Sequence, residues 1–116
     1  MLTVYKQIDP RNTVLALTGP LDQQATLGLE TFILGAKDLR CHHIILDLSA
    51  ITSIGSFALG QLVRWHHQMK PQNLHFSIVN PSPRLRKTLA QAHLSDIVPI
   101  FASQEEAIKH HEASLS

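Results

Sequence analysis

Ile44-Ile45-Leu46-Asp47-Leu48-Ser49-Ala50-Ile51-Thr52-Ser53-Ile54-Gly55-Ser56-Phe57-Ala58-Leu59-Gly60 is the stretch from which the fold is read. Its first five residues, Ile44 to Leu48, form a near-continuous apolar run instead of an alternating one, the pattern of a strand covered on both faces in the middle of a sheet. The small residues from Ser49 to Ser56 read as a loop. From about Phe57 to Met69 the apolar positions Ala58, Leu62, Trp65 and Met69 fall on one helical face, with Leu59 and Val63 beside them. A buried strand, a loop and an amphipathic helix in this order make a unit of an α/β domain.

Upstream, Leu2–Ile8 and Thr13–Thr18 are strand-like segments joined by Asp9-Pro10-Arg11-Asn12, a turn composition, so they predict a hairpin whose second strand stops at Gly19-Pro20. Asp22 stands at an N-cap position before a helix over Gln23–Ala36, with Ala25, Leu29, Phe32, Ile33 and Ala36 at helical spacing and Gly35, Lys37 and Arg40 marking its exit. Downstream, Lys70-Pro71-Gln72-Asn73 ends the central helix, and Leu74, Phe76 and Ile78 alternate with His75 and Ser77 as a third buried-face strand. Ser82-Pro83 opens a helix with the stripe Leu85, Leu89 and Ala92. Ile97–Ile100 reads as a short strand placed at an edge by Pro99. Ser103-Gln104-Glu105-Glu106 is a capping box for a last helix through His111. The order ββαβαβαβα predicts one α/β sandwich over residues 1–112, a mixed sheet of four to five strands packed with about four helices, and a frayed tail over 113–116.

The composition narrows the function. With 116 residues, 44% of them hydrophobic, the chain has the size of one ordinary domain. Ten Lys and Arg against nine Asp and Glu give a net charge of +1, with no basic run to follow a phosphate backbone, so no nucleic-acid partner is expected. The longest aliphatic stretch, Val14-Leu15-Ala16-Leu17, is far short of the roughly 18 residues of a membrane span, and no signal-type apolar segment opens the chain; a cytoplasmic chain without membrane insertion is expected. Cys41, the single cysteine, has no second thiol for a disulfide or a Cys-x-x-Cys metal site.

Eight histidines invite a metal reading, chiefly as the pairs His42-His43, His66-His67 and His110-His111. Adjacent residues point about 100 degrees apart on a helix and to opposite faces on a strand, so a pair does not converge on one ion, and the chain has no His-x-x-x-His. No metal and no cofactor are expected. His93, at the end of the third helix, suits a helix C-terminal dipole. Gly-x-Ser-x-Gly, P-loop and dinucleotide fingerprints are absent, and Asp22, Asp47, Asp96 and Glu106 sit at separate element ends, so the chain is not read as an enzyme. Ser56, at the start of the central helix, has two readings. It is the N-cap, or it is an acceptor for an anionic group at a helix N-terminus that tolerates added negative charge.

Gly19-Pro20-Leu21-Asp22, the run Ile45 to Ile54 leading into Ser56-Phe57-Ala58-Leu59-Gly60, and Phe101 to Ile108 together resemble the successive landmarks of STAS domains, the anti-sigma factor antagonists, over nearly the whole chain. The resemblance implies a module without catalysis of its own, working as a phosphorylation switch. In such modules a serine or threonine at the start of the second helix is phosphorylated by a serine kinase that doubles as an anti-sigma factor, and is restored by a serine phosphatase. The usual family sequence, acidic-Ser-Ser/Thr-Gly-Leu-Gly, is here Gly55-Ser56-Phe57-Ala58-Leu59-Gly60, so Ser56 alone keeps the acceptor hydroxyl. Phenylalanine after the acceptor resembles stressosome-type scaffold members.

The leading expectation is a partner-switching antagonist that docks through Asp22, Ser53, Ile54, Ser56, Phe57, Gln61 and Arg64. Asp22 enters because its loop lies beside the second helix in STAS domains, and it serves equally as the N-cap of the first helix. A constitutive subunit, resembling the small STAS component of bacterial lipid-transport ABC complexes and lacking a phosphate cycle, is the alternative. A small-molecule sensor is a third class without a fingerprint. Trp65 fits either the core or a subunit contact, which leaves monomer and homodimer both open.

Overall fold

The computed structural model of the chain describes residues 3–8, 11–38 and 42–115, with side-chain surroundings over 11–35 and 42–113. In chain order the elements are β1 (Thr3–Ile8), β2 (Asn12–Leu21), α1 (Gln23–Asp38), β3 (His43–Ile54), α2 (Ser56–Met69), β4 (His75–Val79), α3 (Pro83–Gln91), β5 (Ile100–Phe101) and α4 (Gln104–Leu115), with one-turn 3-10 segments at Lys70–Gln72 and Leu94–Asp96. The five strands lie in the order β1-β2-β3-β4-β5. β1 runs antiparallel to β2, and the other neighbours are parallel. The mixed α/β sandwich expected from the sequence is therefore the fold.

β3 is central, and its burial explains the apolar run. Ile44, Leu46 and Leu48 face one core with Leu29 and Ile33 of α1, the α2 stripe, and Leu85 and Leu89 of α3. Ile45 faces the other side, where Val14, Val79 and Ala107 of α4 form a smaller core with Phe101 and Ile108 against it. Three helices thus cover one face of the sheet and α4 the other. In α2 the buried residues are Ala58, Leu62, Trp65 and Met69, the stripe read from the sequence, and Trp65 belongs to the core.

Several boundaries differ from expectation. Gly19-Pro20 does not stop β2. The strand continues to Leu21 because Gly19 takes a positive φ of 98° and the β2–β3 register shifts at Gly19/Pro20, which accommodates the proline. The stretch Ser49–Ile54 is strand and not loop, since it pairs with that extension of β2 and Ile51 is buried beneath it. β4 is not alternating: Phe76, Ser77, Ile78 and Val79 are all buried, because helices lie on both faces. β5 is Ile100–Phe101, and Pro99 precedes it with its carbonyl accepting from Ile78 N–H at 3.0 Å.

Phe32 is 38% exposed instead of in the core, and Ala92 is the exposed C-cap of α3. α4 passes His111 and runs to Leu115, consistent with Glu112 and Ala113 carrying no helix stop and with Ala107 and His111, one turn apart, both buried. Ser82 caps α3, accepting from Leu85 N–H at 3.1 Å. At α4, Ser103 Oγ accepts from Glu106 N–H, while Glu106 reaches back to Ala102 N–H. His93 lies beyond the α3 C-cap in a left-handed conformation, with Asp96 3.5 Å away. Asp47 is within β3, not at its end, and its carboxylate accepts from Ser49 N–H. Leu2, the Asp9-Pro10 turn, Arg40 and Cys41 lie outside the described residues, as do the side chains of Ala36 and Lys37.

Candidate functional site

The extended, parallel pairing of β2 and β3 decides what meets at the C-terminal edge of the sheet. Its last rung is Leu21↔Ile54, and Gly55 N–H donates to the Leu21 carbonyl at 3.1 Å. One residue beyond this rung both chains turn into helices, so the N-termini of α1 and α2 open side by side. At α1, the Asp22 carboxylate accepts from Ala25 N–H at 2.8 Å and the Asp22 carbonyl accepts from the Thr26 hydroxyl. Asp22 is thus the N-cap of α1.

α2 is built differently. Its N-cap is Gly55, extended at φ −92° and ψ 166°, with no side-chain cap and no acidic residue in the first turn. Ser56 is the first helical residue, so the N-cap reading of Ser56 is incorrect by one position. The physical reason is that the Gly55 carbonyl already accepts the first intrahelical bond, from Leu59 N–H at 3.1 Å. An exposed hydroxyl therefore stands on a helix start whose first amides have no side-chain acceptor and whose dipole end is positive. The neighbouring helix start, by contrast, is already capped by the Asp22 carboxylate.

Of the remaining residues singled out in the sequence, Ser53 and Arg64 are exposed and Ile54, Phe57 and Gln61 half-buried. Ile54 packs against the main core while keeping part of its surface open. Phe57, Gln61 and Arg64, spaced by four and three, share one face of α2. At 1.5 Å per residue, Arg64 lies about 10 Å along the helix from Phe57. Asp22, Ser53, Ile54, Ser56 and Phe57 thus gather at the strand ends, with Gln61 and Arg64 one and two turns farther along. This edge offers a hydroxyl, the free backbone amides of the α2 start and the Asp22 carboxylate.

Sequence reading missed a second assembly, at the opposite end of the sheet. The β3–β4 register sets His43 beside His75, and α4 lays His111 over both, with ring centroids 4.6 Å from His43 and 4.4 Å from His75. His43 is buried with Nδ1 3.1 Å from Asn12 Oδ1 and Nε2 2.7 Å from Ser77 Oγ; the amide oxygen accepts from Nδ1–H, leaving Nε2 to accept from the hydroxyl. Burial, followed by the charges of His75, His42 and Arg11, holds the His111 imidazole below its ordinary range, with Glu112 pulling the other way. The adjacent His66 and His67 do not fully diverge, their ring centroids being 5.6 Å apart, and members of different pairs converge across elements. Among the described residues no three His, Cys, Asp or Glu side chains are placed to hold a metal ion, and no helix is long and apolar enough to cross a membrane.

Comparison with known proteins agrees with this geometry. The STAS domain family model matches residues 3–107. A candidate anti-sigma factor antagonist of Thermotoga neapolitana is 33% identical over 66 residues, 57% of this chain and 58% of that relative, so the alignment spans little more than half of its length. The crystal structure of a candidate anti-sigma factor antagonist of Thermotoga maritima superimposes with a TM-score of 0.81 at 23% identity, covering 92% of both chains. The phosphorylated form of the Bacillus cell fate determinant SpoIIAA superimposes with a TM-score of 0.70 at 22% identity, over 93% of this chain and 98% of that one. At these identities the structural likeness speaks for the fold. The chain belongs to the STAS domain family.

Proposed function

We propose that this STAS domain is a non-catalytic, cytoplasmic anti-sigma factor antagonist, switched between protein partners by reversible phosphorylation of Ser56. The observation that carries the reading is the exposed Ser56 hydroxyl on the uncapped N-terminus of α2, directly beside the N-terminus of α1. A phosphoryl group there gains the free amides and the positive dipole end of α2, against repulsion from the Asp22 carboxylate that caps α1, so the fold tolerates it. Adding a charge of about −1.5 to −2 beside the part-open Ile54 and Phe57 converts a mixed apolar surface into one a partner no longer fits. The names of the Thermotoga relatives and the phosphorylated state of the SpoIIAA structure support both halves of the reading. The partners are then a serine kinase that is also the anti-sigma factor, docking on Asp22, Ser53, Ile54, Ser56, Phe57, Gln61 and Arg64, and a serine phosphatase.

The test compares Ser56→Asp with Ser56→Ala. Since Ser56 is not the cap, Ser56→Ala should be within about 0.5 kcal/mol of the wild type in stability, and Ser56→Asp, with a carboxylate at the positive end of α2, up to about 1 kcal/mol more stable. Capture from the native cytosol should then recover a serine kinase with Ser56→Ala and not with Ser56→Asp, and mass spectrometry of the wild type should place phosphate on Ser56. Equal capture by both variants, with Ser56 unmodified in cells, would reject the switch and favour a constitutive subunit.

A further inference from the structure

Between α4, β5, the start of β4 and the last turn of α2 lies a cavity of about 450 Å³, within the range of small-molecule sites. Its wall carries His43, His66, Lys70, His75, His110 and His111, with the amide of Asn73 and the hydroxyl of Ser77, over an apolar floor that includes Phe76, Pro99 and Phe101. No aspartate or glutamate is among the described lining residues. At about 1.5 Å per residue along α2, His66 and Lys70 of its wall lie roughly 15 and 20 Å from Ser56, at the opposite end of that helix from the switch proposed above.

A helix C-terminus attracts cations, and the end of α2 accounts in that way for His66, His67 and Lys70. It does not account for His43, His75, His110 and His111, which come from β3, β4 and α4. Nor is the cluster arranged for a metal. Both nitrogens of His43 are engaged, by Asn12 and Ser77, and no described set of three ligands converges. What remains is a pocket with N–H donors and positive charge on one wall and aromatic or aliphatic surface on the other.

We propose that this cavity binds a small organic anion, a phosphate ester or carboxylate with an apolar body, its acidic group held by His66, Lys70, His75 and His110 and its body against Phe101 and Pro99. His111 and His43 also line the pocket, their rings meeting His75 edge-on with centroids 4.4 and 6.4 Å away. The electrostatics agree in direction. Burial, His67 and Lys70 hold His66 below its ordinary range, and burial, His75, His42 and Arg11 do the same to His111 against the single opposing charge of Glu112. A bound anion relieves that mutual repulsion, so binding and imidazole protonation favour each other.

Phenyl phosphate is a suitable probe and benzyl alcohol its neutral counterpart, followed on the full chain by titration of the histidine ring protons in NMR spectra. Saturable shifts of His66, His75, His110 and His111 are expected with phenyl phosphate at pH 6, weakening at pH 8 and absent with benzyl alcohol. Lys70→Gln and His75→Gln change exposed side chains and should fold normally, each weakening binding roughly tenfold as a charge-assisted contact is lost. Arg86→Gln removes one positive charge outside the cavity and should leave affinity unchanged. No saturable shift at pH 6, equal binding of benzyl alcohol, or equal weakening by Arg86→Gln would each overturn the proposal. So would stabilisation by zinc without any response to phenyl phosphate.

Discussion

Gly55→Asp tests how α2 begins. The residue sits at the N-cap in an extended conformation open to any L-amino acid, and a Cβ built on it meets only the Leu21 carbonyl, at 3.8 Å, an ordinary contact. Three effects add. A side-chain oxygen replacing none contributes a few tenths of a kcal/mol over glycine at an N-cap. Removing glycine from the unfolded chain contributes about 0.4–1 kcal/mol. A carboxylate at the positive end of the helix contributes about 0.3–1 kcal/mol, reduced by repulsion from Asp22 across the β2–β3 edge. The sum is about 1–2 kcal/mol of added stability, or a Tm rise of roughly 4–8 °C for a domain of this size. Gly55→Ala isolates the entropic part and loses capping relative to glycine, so it should stay near the wild type. Calorimetry at low and high salt reads both, and the difference between the two variants should shrink with salt as the charge is screened. A Tm for Gly55→Asp no higher than that for Gly55→Ala would refute the assignment of Gly55 as an open N-cap and restore Ser56 to that role.

Leu62→Ala, which empties a fully buried position between α2 and the sheet, should cost about 2–5 kcal/mol in denaturant unfolding. Gly19→Ala forces an L side chain into a φ of 98°, and should cost about 1–2 kcal/mol with the loss concentrated where β2 extends past β4. The burial of His111 predicts a pH dependence whose sign is fixed: its folded pKa lies below the ordinary 6.5, so the unfolded chain takes up the proton first as pH falls. The stability His111 contributes is thus complete above about pH 6.5 and lost below it, and His111→Gln should flatten the slope of Tm against pH between roughly pH 7 and 5. An unchanged slope would show that His111 is not shielded from water.

The helix faces were legible because they rest on local periodicity. Ala58, Leu62, Trp65 and Met69 are spaced for one face, and the core lies where that face points. The caps Asp22, Ser82 and Ser103 were legible for the same reason, each acting on amides within three residues. The ends of β2 and β3 were not. Gly19-Pro20 and Ser49-Ala50 have poor strand propensity, and each stretch is a strand only because the other pairs with it beyond the reach of β4. That same extension carries Leu21 to Ile54 and thereby sets Asp22 beside Gly55 and Ser56, so the misread boundary and the geometry of the candidate site have one cause.

The histidines invert this lesson. Judged as neighbours in sequence, they point apart; judged by the sheet, His43 and His75 are partners in a parallel register, and His111 reaches them from a helix on the opposite side of the chain's last crossover. Parallel strands enforce a division of labour that follows from direction alone. Every crossover helix on the main face begins where a strand ends, so anion-accepting helix starts collect at the C-terminal edge with Ser56. The opposite edge receives strand starts and the end of α2, whose negative dipole end favours basic side chains such as His66 and Lys70. A negative group is therefore accommodated by backbone amides at one end of this molecule and by imidazole and ammonium groups at the other, and only the second depends on pH. If both proposals hold, lowering the pH from 8 to 6 should strengthen phenyl phosphate binding while leaving the capture difference between Ser56→Ala and Ser56→Asp unchanged. A parallel loss of both responses would instead tie the two ends together through β3.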